Sequence, residues 1–234
     1  MCGRYSLTTP VEGIIRLFDV PERPNLRPRY NIAPTQDVAA IRRDEDGARH
    51  LVFFRWGLVP FWAKDLSIGA RMINARAESV RQKPAFRAAF KRRRCLVPAD
   101  GSYEWKKEKA GKQPYRIVME DGEPYAFAGL WESWSAPDGS EVETCTIVTT
   151  DASPSVAQIH NRMPVILDRD DFDAWLAGGD DEAERLLRPY AGRRLLHAYP
   201  VDRRVGNVRN EDAELILPLD EGGESPAQGQ PRLI

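Results

Sequence analysis

The chain has 234 residues, a formal net charge of −1 and 42% hydrophobic content, enough for one sizeable core and too evenly charged for a globally basic polyanion binder. Its three cysteines, Cys2, Cys95 and Cys145, show no CxxC spacing, which argues against a disulfide framework or a zinc site and for a reducing cytosol. No run approaches the roughly 18 apolar residues of a membrane span, so a soluble, cytoplasmic protein is expected.

Chain order begins with chemistry, at Met1-Cys2-Gly3-Arg4-Tyr5. An initiator methionine is generally trimmed when the second residue is small, and Cys2 would then carry a free α-amine and a free thiol on adjacent carbons. The amine can condense with an aldehyde to an imine, and the sulfur can close that imine to a five-membered thiazolidine. Ordinary pKa values of about 7.7–8.0 for the amine and about 8.5 for the thiol leave both nucleophiles available near neutrality. The bland alternative is a cysteine that merely sits second.

Residues 4–8 read as a short strand, and 9–18 as a helix with Thr9 as N-cap, Pro10 in its first position and Glu12 completing a capping box. Val11, Ile14, Ile15 and Phe18 share one apolar face of that helix. Residues 21–36, rich in Pro, Arg and Asn, are expected to be an ordered irregular loop. Residues 38–43 and 50–55 flank a turn-like Asp44-Glu45-Asp46-Gly47 and read as a hairpin. In the aromatic stretch that follows, Trp56 reads as core and Trp62, between Pro60 and Lys64, as an exposed stacking or wedging ring.

Residues 72–78 read as a loop and 84–91 as a short helix with Phe86 and Phe90 at i, i+4. Between Arg71 and Arg94 nine basic residues face one acid, Glu78, a local asymmetry that fits either a solvated helix face or a polyanion groove. A strand begins at Cys95, a turn at Asp100-Gly101 follows, and Glu104 lies between Tyr103 and Trp105 as either a solvent-facing strand residue or a partly desolvated acid. Residues 115–119 and 125–131 read as another hairpin, 144–149 as a strand with Cys145 in the core, and 153–159 as a short helix leading to His160. Short helices at 170–176 and 181–187, a strand at 195–201 and a disordered tail complete the chain. No phosphate-binding loop, dinucleotide fingerprint or metal-ligand spacing is present.

Taken together, Met1-Cys2-Gly3-Arg4-Tyr5, Arg29-Tyr30-Asn31-Ile32-Ala33-Pro34-Thr35, Trp56-Gly57-Leu58-Val59-Pro60 with Trp62-Ala63, Ile73-Asn74-Ala75-Arg76-Ala77-Glu78, Cys95-Leu96-Val97-Pro98 with Tyr103-Glu104-Trp105, Phe127-Ala128-Gly129-Leu130-Trp131, and Ile159-His160 with Arg162-Met163-Pro164 resemble the SRAP family. These are the abasic-site processing proteins, formerly called SOS-response-associated peptidases. The resemblance implies an α+β fold: a single domain of mixed, strongly curved, barrel-like sheet with short peripheral helices over residues 1–218, followed by a tail at 219–234. It implies a monomer that binds single-stranded DNA and crosslinks to abasic sites, with no cofactor, no metal and no membrane partner, bacterial and nucleoid-associated when on DNA.

The resemblance also assigns roles. Cys2 is the aminothiol nucleophile, Asn74 positions it, and Glu104 and His160 manage protons, with His160 the acid that opens the closed sugar and Glu104 the base for the Cys2 ammonium, or the reverse. Arg4, Arg76 and Arg162, joined by Arg71, would bind flanking phosphates; Asn31 and Pro34 would line the groove, and Trp62 would wedge against a base. Asn161 stands where many relatives carry a second histidine. Two alternatives use the same residues: a thiol peptidase with Cys2 as nucleophile, and a noncovalent binder of single-stranded DNA.

Overall fold

The computed structural model describes residues 2–219. Short strands dominate, because apolar β-branched and aromatic residues recur in runs too brief for helices and are broken by Gly, Pro and Asp. In chain order they are β1 (Tyr5–Leu7), α1 (Val11–Phe18), β2 (Arg29–Ile32), β3 (Asp37–Arg43), β4 (Arg49–Trp56), β5 (Asn74–Arg76), α2 (Arg87–Arg92), β6 (Arg94–Ala99), β7 (Gly101–Glu108) and β8 (Gly111–Met119). The series continues through β9 (Tyr125–Ser135), β10 (Glu141–Asp151), α3 (Pro154–Ala157), β11 (Arg162–Pro164), β12 (Ile166–Leu167), α4 (Phe172–Ala177), α5 (Asp180–Arg185) and β13 (Leu196–Pro200).

Five of these strands close on themselves in the order β10-β4-β3-β6-β9 and back to β10, with β10–β4 the parallel pair that makes the barrel mixed. The remaining sheet is open and antiparallel, in the order β13-β8-β7-β1-β2. Tyr5 joins the two: its buried ring on β1 meets Trp56 of β4 edge-on at 5.5 Å and Phe127 of β9 at 5.7 Å. Edge-to-face pairs of this kind add to the area they bury. The expected α+β domain with a curved, barrel-like sheet and short helices is the fold found.

Several local expectations change. The strands at 115–119 and 125–131 exist but do not pair with each other, because both edges of β8 are taken by β7 and β13 while β9 pairs with β6, β10 and β12. Residues 72–78 are not all loop: Asn74, Ala75 and Arg76 lie parallel to Ile147, Val148 and Thr149 of β10. Arg29–Ile32 form a strand inside the expected irregular segment. Thr9 does not cap α1; its N–H and hydroxyl both go to Asp100, and the helix starts at Val11 after Pro10 with no side-chain cap. Trp56 and Cys145 are fully buried, as expected for core. The expected tail lies outside the described residues.

Candidate active site

Cys2 enters the fold immediately before β1 and is fully buried. Burial pushes its thiol pKa far up and the nearby Glu104 carboxylate adds to the rise, while a hydrogen bond from the Arg4 backbone N–H opposes it. The thiol is therefore held protonated until a base relieves it. Asn74 Nδ2 donates to the Cys2 carbonyl at 2.8 Å, a contact made possible by the parallel register of β5 on β10. The other amide atom, Asn74 Oδ1, is buried with no hydrogen-bond partner among the described residues.

Glu104 stands on β7 at 3% exposure, so it is the desolvated acid of the two readings and not a solvent-facing one. Burial raises its pKa, and the neighbouring His160 partly offsets that rise. His160 follows α3, its N–H bonded to the Val156 carbonyl, and its Nδ1 lies 3.9 Å from Glu104 Oε2. His160 Nδ1 lies 3.0 Å from the Arg162 backbone nitrogen and 3.1 Å from the Arg162 carbonyl oxygen, so the backbone of Arg162 holds the ring in place. The arrangement places a buried thiol, an amide donor, a carboxyl of raised proton affinity and an imidazole around one point. It suits nucleophilic attack accompanied by proton transfer.

The expected DNA contacts separate into two groups. Arg71 and Arg76 are exposed, Trp62 is 50% exposed, and Pro34 is half-buried before Thr35 at φ 70°. The others are already engaged within the protein. Arg4 donates to Asn31 Oδ1 at 2.8 Å and to the Val205 carbonyl at 2.9 Å, and Asn31 is fully buried with Nδ2 shared among the carbonyls of Val205, Asn207 and Asn210. Arg162 meets both oxygens of Glu78 at 2.6 and 3.1 Å, Asp151 at 2.8 Å and the Thr149 carbonyl at 2.8 Å.

Sequence reasoning overlooked Glu78 and Asp151, which fix Arg162 and through its backbone the ring of His160. It also gave Phe61 no place of its own, and that ring is 63% exposed beside Trp62; the signal was its position after Pro60 in a segment without strand pattern. Gly57 anchors this loop. At φ 135° a Cβ there would come within 2.6 Å of the Gly69 carbonyl, so the two ends of residues 57–69 pack backbone against backbone. No group of three metal-ligating side chains occurs among the described residues, and no helix there is long and apolar enough to cross a membrane.

Barrel and open sheet together bring a buried thiol, an amide, a carboxyl and an imidazole into one cluster at the seam of the two sheets. The family model described as SOS response associated peptidase (SRAP) matches residues 1–208, and the chain belongs to that family. It is 43% identical to abasic site processing protein YoaM of Bacillus subtilis, over 92% of this chain and 97% of that one. It is 32% identical to abasic site processing protein YedK of Escherichia coli, over 94% and 100% respectively. Among solved structures, a Bacteroides thetaiotaomicron protein superposes with a TM-score of 0.84 at 26% identity, covering 93% of this chain and all of that one.

Proposed function

We propose that this protein processes abasic sites in single-stranded DNA by bonding covalently to them through Cys2. The observation that carries the reading is the convergence of Cys2, Asn74, Glu104 and His160, in a chain whose relatives are named for abasic-site processing. With Met1 removed, the α-amine of Cys2 attacks the aldehyde carbon of the opened sugar and one water leaves, giving an imine. The thiol sulfur then adds to the imine carbon as its proton passes to the nitrogen. One C–N and one C–S bond form, and the product is a thiazolidine.

Each neighbour has a task in that sequence. His160, held beside Glu104 by the Arg162 backbone, donates a proton to the ring oxygen of the closed sugar so that the aldehyde forms. Glu104, whose proton affinity is raised by burial, takes a proton from the Cys2 ammonium and later assists ring closure. Asn74 fixes the Cys2 carbonyl and with it the direction of the amine. Arg71 and Arg76 meet flanking phosphates, and Trp62 stacks on a base at the edge of the lesion. Peptidase action on other polypeptides has less support, because the buried, proton-retaining thiol is poorly suited to attack a bulky chain before a base acts.

The test is intact-mass spectrometry of the protein mixed with a single-stranded oligonucleotide carrying one abasic site. The expected product has the mass of the protein lacking Met1 plus the oligonucleotide less one water, and it is missing with undamaged DNA and with Cys2→Ala. Absence of an adduct on protein confirmed to lack Met1 would overturn the proposal.

A further inference from the structure

Asn31 is fully buried on β2, and its amide is spent inside the protein: Oδ1 accepts from Arg4 Nη1 at 2.8 Å, while Nδ2 reaches the carbonyls of Val205, Asn207 and Asn210 at 3.2, 3.0 and 2.9 Å. An amide nitrogen has two N–H groups, so three carbonyls saturate it. Those carbonyls belong to residues 201–217, which follow β13 and lie against β2 and β8 of the open sheet, with short 3-10 turns at Arg203–Gly206 and Ala213–Ile216. The segment is held from several sides. Glu211 accepts from the backbone N–H groups of Tyr30 and Asn31 and from Arg29 Nε, and the Tyr199 hydroxyl donates to the Ile216 carbonyl at 2.9 Å. The fully buried Val201, Val205 and Leu215 pack around Tyr103.

The other end of these contacts is the nucleophile, and Arg4 makes the connection. Its guanidinium is held by Asn31 and by the Val205 carbonyl at 2.9 Å, its carbonyl accepts from the Tyr103 N–H at 3.0 Å, and its own N–H donates to the Cys2 sulfur. Strand alternation then divides β7 in two. Tyr103 and Trp105 pack into the cluster with residues 201–217, and Glu104 between them points the other way, to Cys2 and His160. The segment is therefore the rear wall of both strands, the one that starts at the nucleophile and the one that carries its carboxyl. Only an amide fits the node. A carboxylate would present oxygen to three carbonyls, and an alkyl group would leave the carbonyls and the Arg4 guanidinium short of partners.

We infer that Asn31 is a positioning residue for the Cys2 chemistry, the node through which residues 201–217 hold Arg4 and the start of β1 against the nucleophile. The inference rests on the proposed function for the reaction itself, and it gives Asn31 a task other than lining a DNA groove. Asn31 acts on the second step. Forming the imine needs only the amine, whereas closing the thiazolidine needs the sulfur placed at the imine carbon, and the Arg4 N–H is the group that orients that sulfur. With the node cut, the amine still condenses and the ring closes slowly.

The measurement is the share of adduct caught as imine when wild type and Asn31→Ala react with the abasic-site oligonucleotide in the presence of sodium cyanoborohydride. Imine and thiazolidine are isomers of equal mass; the reductant adds two hydrogens to the imine alone, and intact-mass spectrometry separates the products by that difference. Asn31→Ala is expected to move product from thiazolidine to the reduced form, with ring closure slowed by up to about 10²-fold, the effect of a misplacement of about 1 Å, and with affinity for an undamaged strand unchanged. Phe172→Leu, on α4 against β3 and β6, controls for lost stability and should keep the wild-type ratio. An unchanged ratio in Asn31→Ala would overturn the inference, as would an equal shift in Phe172→Leu. A fall in affinity for the undamaged strand with the ratio unchanged would also overturn it, in favour of a groove-lining Asn31. Should Asn31→Ala not fold, Glu211→Ala is read the same way, because it frees the same segment from β2 through a side chain one-third exposed. A wild type that gives no adduct overturns the proposed function and this inference with it; an adduct on wild type with equal ratios in the variants overturns this inference alone.

Discussion

Asp100 and Glu104 stand four residues apart on one stretch of chain, at 7% and 3% exposure, and the fold treats them in opposite ways. Asp100 accepts from the Ser6 hydroxyl at 2.7 Å, the Thr8 hydroxyl at 2.8 Å and backbone N–H, the Thr9 N–H at 2.9 Å and hydroxyl at 3.2 Å, and faces Arg116 at 3.2 Å. Glu104 faces the thiol of Cys2 and the ring of His160, and burial there raises its pKa. Burial of a carboxylate therefore does not mark function by itself. The mark is burial that raises proton affinity beside a nucleophile.

The largest expected effect tests the structural half of that contrast. Asp100→Ala would leave the Arg116 guanidinium, about 90% buried as a side chain, without its counter-charge. Breaking a buried pair in this way costs about 3–5 kcal/mol, read as a fall in the free energy of unfolding in urea. A loss below about 1 kcal/mol would show that Asp100 is not the structural partner its hydrogen bonds describe.

Glu104→Gln tests the chemical half and has the opposite sign on stability. A raised carboxylate pKa means that the unfolded chain ionises first: stability is fully present below the ordinary value near 4.5 and is lost as pH rises through the folded value. The variant lacks that loss. Its melting temperature should match wild type near pH 4 and exceed it at pH 7–8, while the rate of crosslinking falls by at least about 10²-fold, the lower range for a positioned proton-transfer group. A variant that is both less stable at pH 8 and equally fast would remove Glu104 from the proton-transfer role.

What could be read from sequence follows the same division. Cys2, Trp56, Trp62 and the strands of residues 38–55 declare themselves through neighbours in the chain, and their placement was legible. The burial of Glu104 was not, because Tyr103 and Trp105 fit equally well a half-solvated strand; the decision is made by β8 and β1 pairing on either side of β7. Asn74 reached the site through a parallel pairing with a strand some seventy residues away, which no local pattern encodes. The family resemblance assigns Asn31 and Arg4 to DNA binding, Asn31 to the groove wall and Arg4 to a flanking phosphate. Only the carbonyls of Val205, Asn207 and Asn210, contributed from far along the chain, show how firmly the fold holds them.

The smallest effect is the sharpest test of why Asp100 is quiet. The Ser6 hydroxyl donates to Asp100 at 2.7 Å and accepts from Arg116 Nη2 at 3.1 Å, so it bridges the two charges from a fully buried position on β1. Ser6→Ala removes the bridge but leaves Asp100 its contacts with Thr8, Thr9 and Arg116. The cost should stay near that of one ordinary buried hydrogen bond, about 0.5–1.5 kcal/mol, measured by urea unfolding. In a double-mutant cycle with Asp100→Ala most of that cost should disappear, since the serine then has no carboxylate to serve. A loss as large as that of Asp100→Ala would mean that the carboxylate depends on this one hydroxyl, and the contrast between a redundantly held Asp100 and a reactive Glu104 would have to be redrawn around Ser6.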